Sequence, residues 1–366
     1  MRRDRSGRLP WAIVLLVIVL SCSIAYGGAR LIHRLSPSNV LHKVEVLQLN
    51  SIQGLEAVSD GFVYYDGGSL SKIRSNSKTA WSYMPGAGAE FSASDAGVAT
   101  WIGRTLTLID GENGVPSYSG NMEEDVLSAH MGDIYTAVLL GPEHNSTIVL
   151  MENGGRKVDS ITLPEQTVID YGFFYNDTLF WVMTLDTNGT VPSCTVSTYR
   201  PGRRIVGSIT DTEQLLYRAM FQSTQIACAG DTFLKVYDYN GEEVREKRQL
   251  IYGWTLADAE DSDMNPMMAF VPNMQYDGSL SMQDVRMIRG TNSQIVHMPF
   301  ECKSIVAKGQ NVYGFSGEGY MMVARMGSQK VDAFNMNLQF DQVYGVADGN
   351  IAILGSGNLI YFVSMG

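Results

Sequence analysis

Five histidines, His33, His42, His130, His144 and His297, are the side chains best placed to carry acid–base or metal chemistry near neutral pH. None stands at metal-ligand spacing from another or from a cysteine, so no zinc signature is present. The densest set of oxygen ligands is Asp258-Ala-Glu260-Asp261-Ser-Asp263-Met-Asn265. Asp261, Asp263 and Asn265 match the first three ligand positions of a calcium loop. Pro266 stands where that loop needs glycine and Pro272 where it needs a bidentate glutamate, so the run reads as a solvated loop between units. A Gly-x-Ser-x-Gly elbow, a phosphate loop and a dinucleotide fingerprint are all missing. No catalytic, cofactor-binding or metal residue is expected, and no cofactor.

Other polar and soft side chains have structural readings. Arg200, Arg203 and Arg204, and then Arg245, Lys247 and Arg248, form two short basic clusters of the kind found on exposed turns and edge strands. Met264, Met267, Met268, Met274, Met282 and Met287 could fill a core or make an adaptable contact surface; core filling is the simpler reading. Cys194, Cys228 and Cys302 follow Cys22 at wide spacing, which is no disulfide framework. They read as buried thiols, with a Cys194–Cys228 bridge as the alternative. Asn145, Asn176 and Asn188 begin glycosylation sequons, which matter only in a eukaryotic secretory pathway.

Past residue 40 the chain carries 37 acidic and 21 basic side chains, a formal net charge of −16. A nucleic-acid ligand is excluded on that balance, because a polyanion needs a basic surface.

The elements that must position these residues are strands. From residue 43 to 366 the chain shows many short runs rich in Val, Ile, Tyr, Phe and Thr, bounded by Gly, Asp and Asn, and no long stretch of helical apolar spacing. The runs recur in fours. Between Phe91 and Ser119 the segments FSASD, GVATW, RTLTLI and VPSYS are separated by tight-turn residues. Similar units begin near Leu55, Val126, Val168, Leu215, Leu256 and Ser304, a spacing of propeller blades. The last unit, QVYGV, NIAIL and LIYFV, has three strands, and the run Lys43 to Leu49 can supply its fourth. The expected fold is an all-β, eight-bladed β-propeller closed by the N-terminal strand, with seven blades or a single sandwich as alternatives. Such closure removes an open sheet edge.

One unit carries a resemblance. In RTLTLIDGENGVPSYS, Leu108, Asp110, Asn113, Gly114 and Tyr118 match the repeat of quinoprotein-type (PQQ-like, WD40-like) propellers, and Tyr237, Asp238, Asn240 and Gly241 echo it, with Trp81 after a Ser-Lys turn in the first unit. The resemblance implies blade packing and hairpin geometry rather than quinone binding. The run Ser94 to Trp101 resembles the Asp-box of sialidase-like propellers, with Ala93 in place of a serine and one residue too many before Thr100-Trp101. Those boxes stabilise blade turns.

Leu9 to Ala29 contains no charged residue. As a helix rising ~1.5 Å per residue it spans a hydrocarbon core of ~30 Å. Arg2, Arg3, Arg5 and Arg8 precede it and only Arg30 and Arg34 follow closely, which places the N-terminus in the cytoplasm. Two alternatives are a cleaved signal peptide and a lipoprotein signal ending at Cys22, although Leu20 occupies a position where a small residue is usual. The expected organisation is a cytoplasmic tail at 1–8, a transmembrane signal anchor at 9–29, a linker at 30–42 and an extracytoplasmic propeller at 43–366. With its tail, span and propeller the chain resembles bacterial membrane-anchored propeller proteins of unknown function, and the eight-bladed scaffold of outer-membrane protein assembly. The expected function is a non-enzymatic scaffold or sensor binding another envelope or membrane protein. The alternatives are a small ligand or glycan at the central channel, or a divergent hydrolase or lyase.

Overall fold

The computed structural model describes residues 39–40, 44–141, 145–203, 205–260, 264–273 and 282–365. The span at 9–29, the tail at 1–8 and residues 30–38 of the linker lie outside them, as do Cys22, His33, His42, His144, Arg204, Asp261, Asp263 and Met274. Among the described residues, no helix is long and apolar enough to cross a membrane.

Each four-strand unit repeats one hydropathic scheme. Its middle strands read as continuous apolar runs, such as Leu179–Asp186 (LFWVMTLD), and are buried on both faces. Its last strand, as in Pro116–Asn121 (PSYSGN), is largely exposed. Strands graded in this way stack as radial blades, apolar between neighbours and polar at the rim.

Among the described residues the strands form eight sheets, antiparallel but for one short added strand. Blade 1 covers 54–83, blade 2 90–121, blade 3 126–164 and blade 4 167–211. Blade 5 covers 216–250, blade 6 254–297 and blade 7 304–335. Blade 8 combines 342–364 with the early strand Val44–Gln48, which pairs antiparallel with Leu359–Ser364 and sets Val46 opposite Tyr361. The closure read from the sequence is therefore present, and the seven-blade and sandwich alternatives fall. First strands of neighbouring blades lie against one another, Gly54–Val58 touching both Glu90–Ala93 and Gln342–Ala347, so they surround the axis.

The core is divided among the blades. Apolar clusters sit between consecutive blades, from Val58, Val63 and Tyr65 against Val98 and Ile109 round to Phe62 and Ile73 against Ile353, Ile360 and Phe362. Met267, Met287, Met298 and Met322 fill the layer between blades 6 and 7, so these methionines are core; Met264 is exposed. Cys194, Cys228 and Cys302 are buried free thiols, and the alternative Cys194–Cys228 bridge is not formed. Burial pushes the Cys228 and Cys302 thiols up to about 12, which leaves them unreactive at neutral pH.

The quinoprotein-like residues now have a physical role. The Asp110 carboxylate accepts the N–H groups of Glu112 and Asn113, shaping the turn that ends at Gly114 with φ of 71°. Trp81 of blade 1 docks under this blade 2 turn and donates its indole N–H to the Gly111 carbonyl at 3.0 Å. The same carbonyl accepts the Lys72 ammonium at 3.0 Å. A Cβ at Gly114 would lie 2.6 Å from Trp81, so the motif is an inter-blade joint that only glycine can close. Asp95, from the Asp-box-like run, accepts the Ser59 N–H of blade 1 at 2.7 Å and joins the same two blades.

Asn39–Val40, within the segment read as linker, pairs in parallel with Val331–Asn335 at the outer edge of blade 7. The chain thus touches blade 7 before its next strand completes blade 8.

Candidate functional site

The axis is lined by the first strands of the blades, and five of those described are irregular. The register shifts between Val126 and Ser128, Val168 and Asp170, Leu216 and Arg218, Leu256 and Asp258, and Val343 and Gly345. A bulge at this point re-aims the side chains beyond it. In blades 3 to 6 the residues after the bulge are Ser128, Asp170, Arg218 and Asp258, one polar group per blade at an equivalent level. Ser128 shares a hydrogen bond with the Tyr171 hydroxyl at 2.8 Å. The Arg218 guanidinium lies 3.5 Å from the Asp170 carboxylate. Asp258 accepts the Ala307 N–H of blade 7 at 2.7 Å.

Two residues further along each strand lies a second level, with His130 on blade 3 and Glu260 at the end of the blade 6 strand. Glu260 accepts the Gly309 N–H at 2.8 Å, so Asp258 and Glu260 together clamp blade 6 to blade 7. Glu56 does the same between blades 1 and 2 by accepting the Ala93 N–H at 2.6 Å. The acidic run at 258–265 is therefore not wholly a solvated loop; its first two carboxylates are inter-blade clamps facing the axis.

Burial decides the charge behaviour here. It raises the carboxyl pKa of Asp258 and of Glu56, and the accepted N–H groups offset this only in part. It lowers the His130 pKa against the fields of Asp177 and Asp170, favouring the neutral imidazole, whose ring stacks on Phe173.

Two cavities open along the channel. One of about 450 Å³ runs by blades 6 to 8, lined by Asp258, Glu260, Lys308 and Tyr344. The other, of about 510 Å³, spans blades 3 to 6 and is lined by His130, Asp170, Arg218, Glu260 and aromatic rings. These rings continue onto the face that carries the turns between first and second strands. Phe174 stacks on Phe221 at 4.2 Å and on Tyr239 at 6.3 Å, and Tyr175 and Tyr239 are 45% and 40% exposed.

Other groups singled out from the sequence are dispersed. His297 is exposed on the last strand of blade 6, paired with Asp284 at 2.9 Å. Arg248 is held by Glu243 and Glu213 and lies 5.2 Å over the Phe233 ring, so the second basic cluster is partly a strut. Arg200 and Arg203 are exposed on a turn of blade 4. Among the described residues, no group of three or more His, Cys, Asp or Glu could hold a metal ion. Asp170 and Arg218 carried no signal in the sequence; only the equivalence of their blade positions, 48 residues apart, could have paired them.

No protein-family model matches the chain, and no curated protein does. Among solved structures, BamB from Moraxella catarrhalis is similar with a TM-score of 0.58 and 12% identity, covering 89% of this chain and 100% of that one. The C-terminal WD40 domain of Sif2 gives 0.60 and 12%, covering 90% and 99%. A quinohemoprotein alcohol dehydrogenase from Pseudomonas putida HK5 gives 0.55 and 10%, covering 91% and 77%. At these identities the likeness is one of fold: the chain is a β-propeller of the architecture shared by quinoprotein-like and WD40 rings.

Proposed function

We propose that this chain is a non-enzymatic scaffold or sensor, anchored by the span at 9–29 with its propeller outside the cytoplasm, that docks another envelope or membrane protein. The observation that carries the reading is the aromatic patch of Phe174, Tyr175, Phe221 and Tyr239, which crosses from blade 4 to blade 5 on one face. Partly exposed tyrosines are side chains that anchor protein interfaces, and the exposed Arg200 and Arg203 stand on another turn of the same blade 4. Among the described residues, the polar channel adds no convergent nucleophile and base that would favour catalysis over docking.

Strand direction supports a partner near the bilayer. Val44–Gln48 is the fourth strand of blade 8, so its first residue lies on the face that bears the patch. Nine residues, 30–38, lie between Ala29 and Asn39, ten steps with a reach of at most ~35 Å.

A photo-crosslinking residue at Tyr239 should trap one recurrent membrane protein in native membranes, whereas the same residue at Met84, on the opposite face and 82% exposed, should not. Equal capture from both positions, or none from Tyr239, overturns the docking face. A reporter fused after Gly366 should be active only outside the cytoplasm; cytoplasmic activity overturns the topology.

A further inference from the structure

We propose that the axial cavity between blades 3 and 6 is a binding site for a neutral carbohydrate. Its volume of about 510 Å³ suits a small oligosaccharide and falls within the usual ~300–1,000 Å³ of ligand pockets. The carboxylate of Asp170 and the guanidinium of Arg218 stand 3.5 Å apart, longer than a hydrogen bond, so each keeps capacity for a third group. Side by side they offer planar acceptors and donors spaced for neighbouring hydroxyls. The charge of this pair cancels. An anion entering here would meet the carboxylates of Asp170 and Glu260 and is selected against, while the Arg218 guanidinium already occupies the place of a cation beside Asp170. A neutral, hydroxyl-rich ligand can use the donors and acceptors of the pair without displacing either.

Apolar surface completes the site. Phe173 and Phe221 enter the cavity from the two sides of blade 4, and the C–H face of a sugar ring packs well against such rings. Phe173 is itself backed by His130 at 6.2 Å, so its position is set.

The backbone beside the cavity is strained. Tyr175, Asn176 and Asp177 have φ of 53°, 48° and 59°, three consecutive non-glycine residues in the left-handed region. Asp177 holds this turn to blade 3 by accepting the N–H groups of Ile134 at 2.7 Å and Tyr135 at 3.2 Å, and the Tyr175 hydroxyl donates to the Ser223 carbonyl of blade 5. Such strain persists where neighbours over-determine it, and it concentrates at ligand sites. Here it fixes the end of the strand that carries Asp170 and Phe173.

The test uses the full chain in lipid nanodiscs, free of glycosidic detergent, titrated calorimetrically with cellotetraose, laminaritetraose and chitotetraose, and separately with inorganic phosphate. At least one tetrasaccharide should bind with a Kd of about 1 mM or tighter. Arg218→Gln and Asp170→Asn should each weaken it about tenfold or more. Tyr239→Ala, on the docking rim outside the cavity, should leave sugar binding unchanged, so this site and the docking face can fail separately. Thermal melting confirms that each variant is folded; if Arg218→Gln is not, Phe173→Ala supplies the loss. Absence of saturable binding by all three sugars overturns the proposal. So does sugar binding that the channel variants leave intact, or phosphate binding tighter than any sugar.

Discussion

Lys235 and Asp211 are almost fully withdrawn from water, with side chains 3% and 1% exposed and 2.9 Å between them. Burial opposes charging of both. Hydrogen bonds outweigh it: those from Lys235, the Glu213 N–H and Gln214 hold the Asp211 carboxyl below its ordinary pKa, and those to Glu213 and Asp211 hold the Lys235 ammonium above its own. Asp211→Ala leaves the buried Lys235 ammonium with Glu213 alone and Gln214 without its acceptor, so it should destabilise the fold by about 3 kcal/mol. The double replacement Asp211→Leu with Lys235→Met should recover most of that, read from denaturant midpoints. Glu56 shows the opposite sign. Burial raises its pKa, so the fold favours the protonated form. That contribution is complete below the unfolded value of 4.5 and fades as pH rises through the higher folded value. Glu56→Gln keeps an oxygen for the Ala93 N–H and has no charge to bury. The melting temperature of the variant relative to the parent should therefore climb from pH 4 to pH 7; a flat difference would show that Glu56 is solvated.

Turns do the joining at the level of elements. Gly114 and Gly327 both hold positive φ, 71° and 85°, yet only Gly114 is pressed against a neighbour, Trp81. Left-handed backbone by itself costs an alanine about 1–2 kcal/mol. Gly327→Ala should lose about that much. Gly114→Ala should lose clearly more, because Trp81 must move and its bond to Gly111 is strained. Equal losses, measured by chemical denaturation, would mean that the indole gives way freely. First strands join blades by side chains instead, since the residues after the bulges at 126–128, 168–170 and 256–258 reach the next blade, Ser128 to Tyr171, Asp170 to Arg218 and Asp258 to the Ala307 N–H. The bulges turn polar side chains toward the axis while the blades pack around them.

Closure is a property of the whole ring. Val46 lies opposite Tyr361, and the strand pair joins the two ends of the chain. Val46→Cys with Tyr361→Cys should form a disulfide under mild oxidation and stabilise the protein by about 2–4 kcal/mol. The thiols of Cys194, Cys228 and Cys302 should not compete, since burial raises the pKa of each. Failure to cross-link would break the closure. In an open ring, Phe62 and Ile73 would lose their partners Ile353 and Phe362, and the edges of blades 8 and 1 would be free to associate.

Strand periodicity, Asp-Gly and Asn-Gly turns, and a last unit with three strands were enough to read the propeller, its eight blades and its closing strand. Those are local or counting properties, because alternation, turn chemistry and repeat length are written in adjacent residues. Buried thiols and core methionines were legible for the same reason. The channel was not. Asp170 and Arg218 face each other only because successive blades are rotated about a common axis and a bulge in each of their first strands re-aims the side chains beyond it. Asp258 and Glu260 read as loop acids and proved to be clamps, since their partners, the N–H groups of Ala307 and Gly309, lie one blade away. Sequence by itself determined the blade and the order of blades; the tertiary structure alone decided which side chains meet at the axis, because those contacts depend on the angle between sheets and not on any neighbour in the chain.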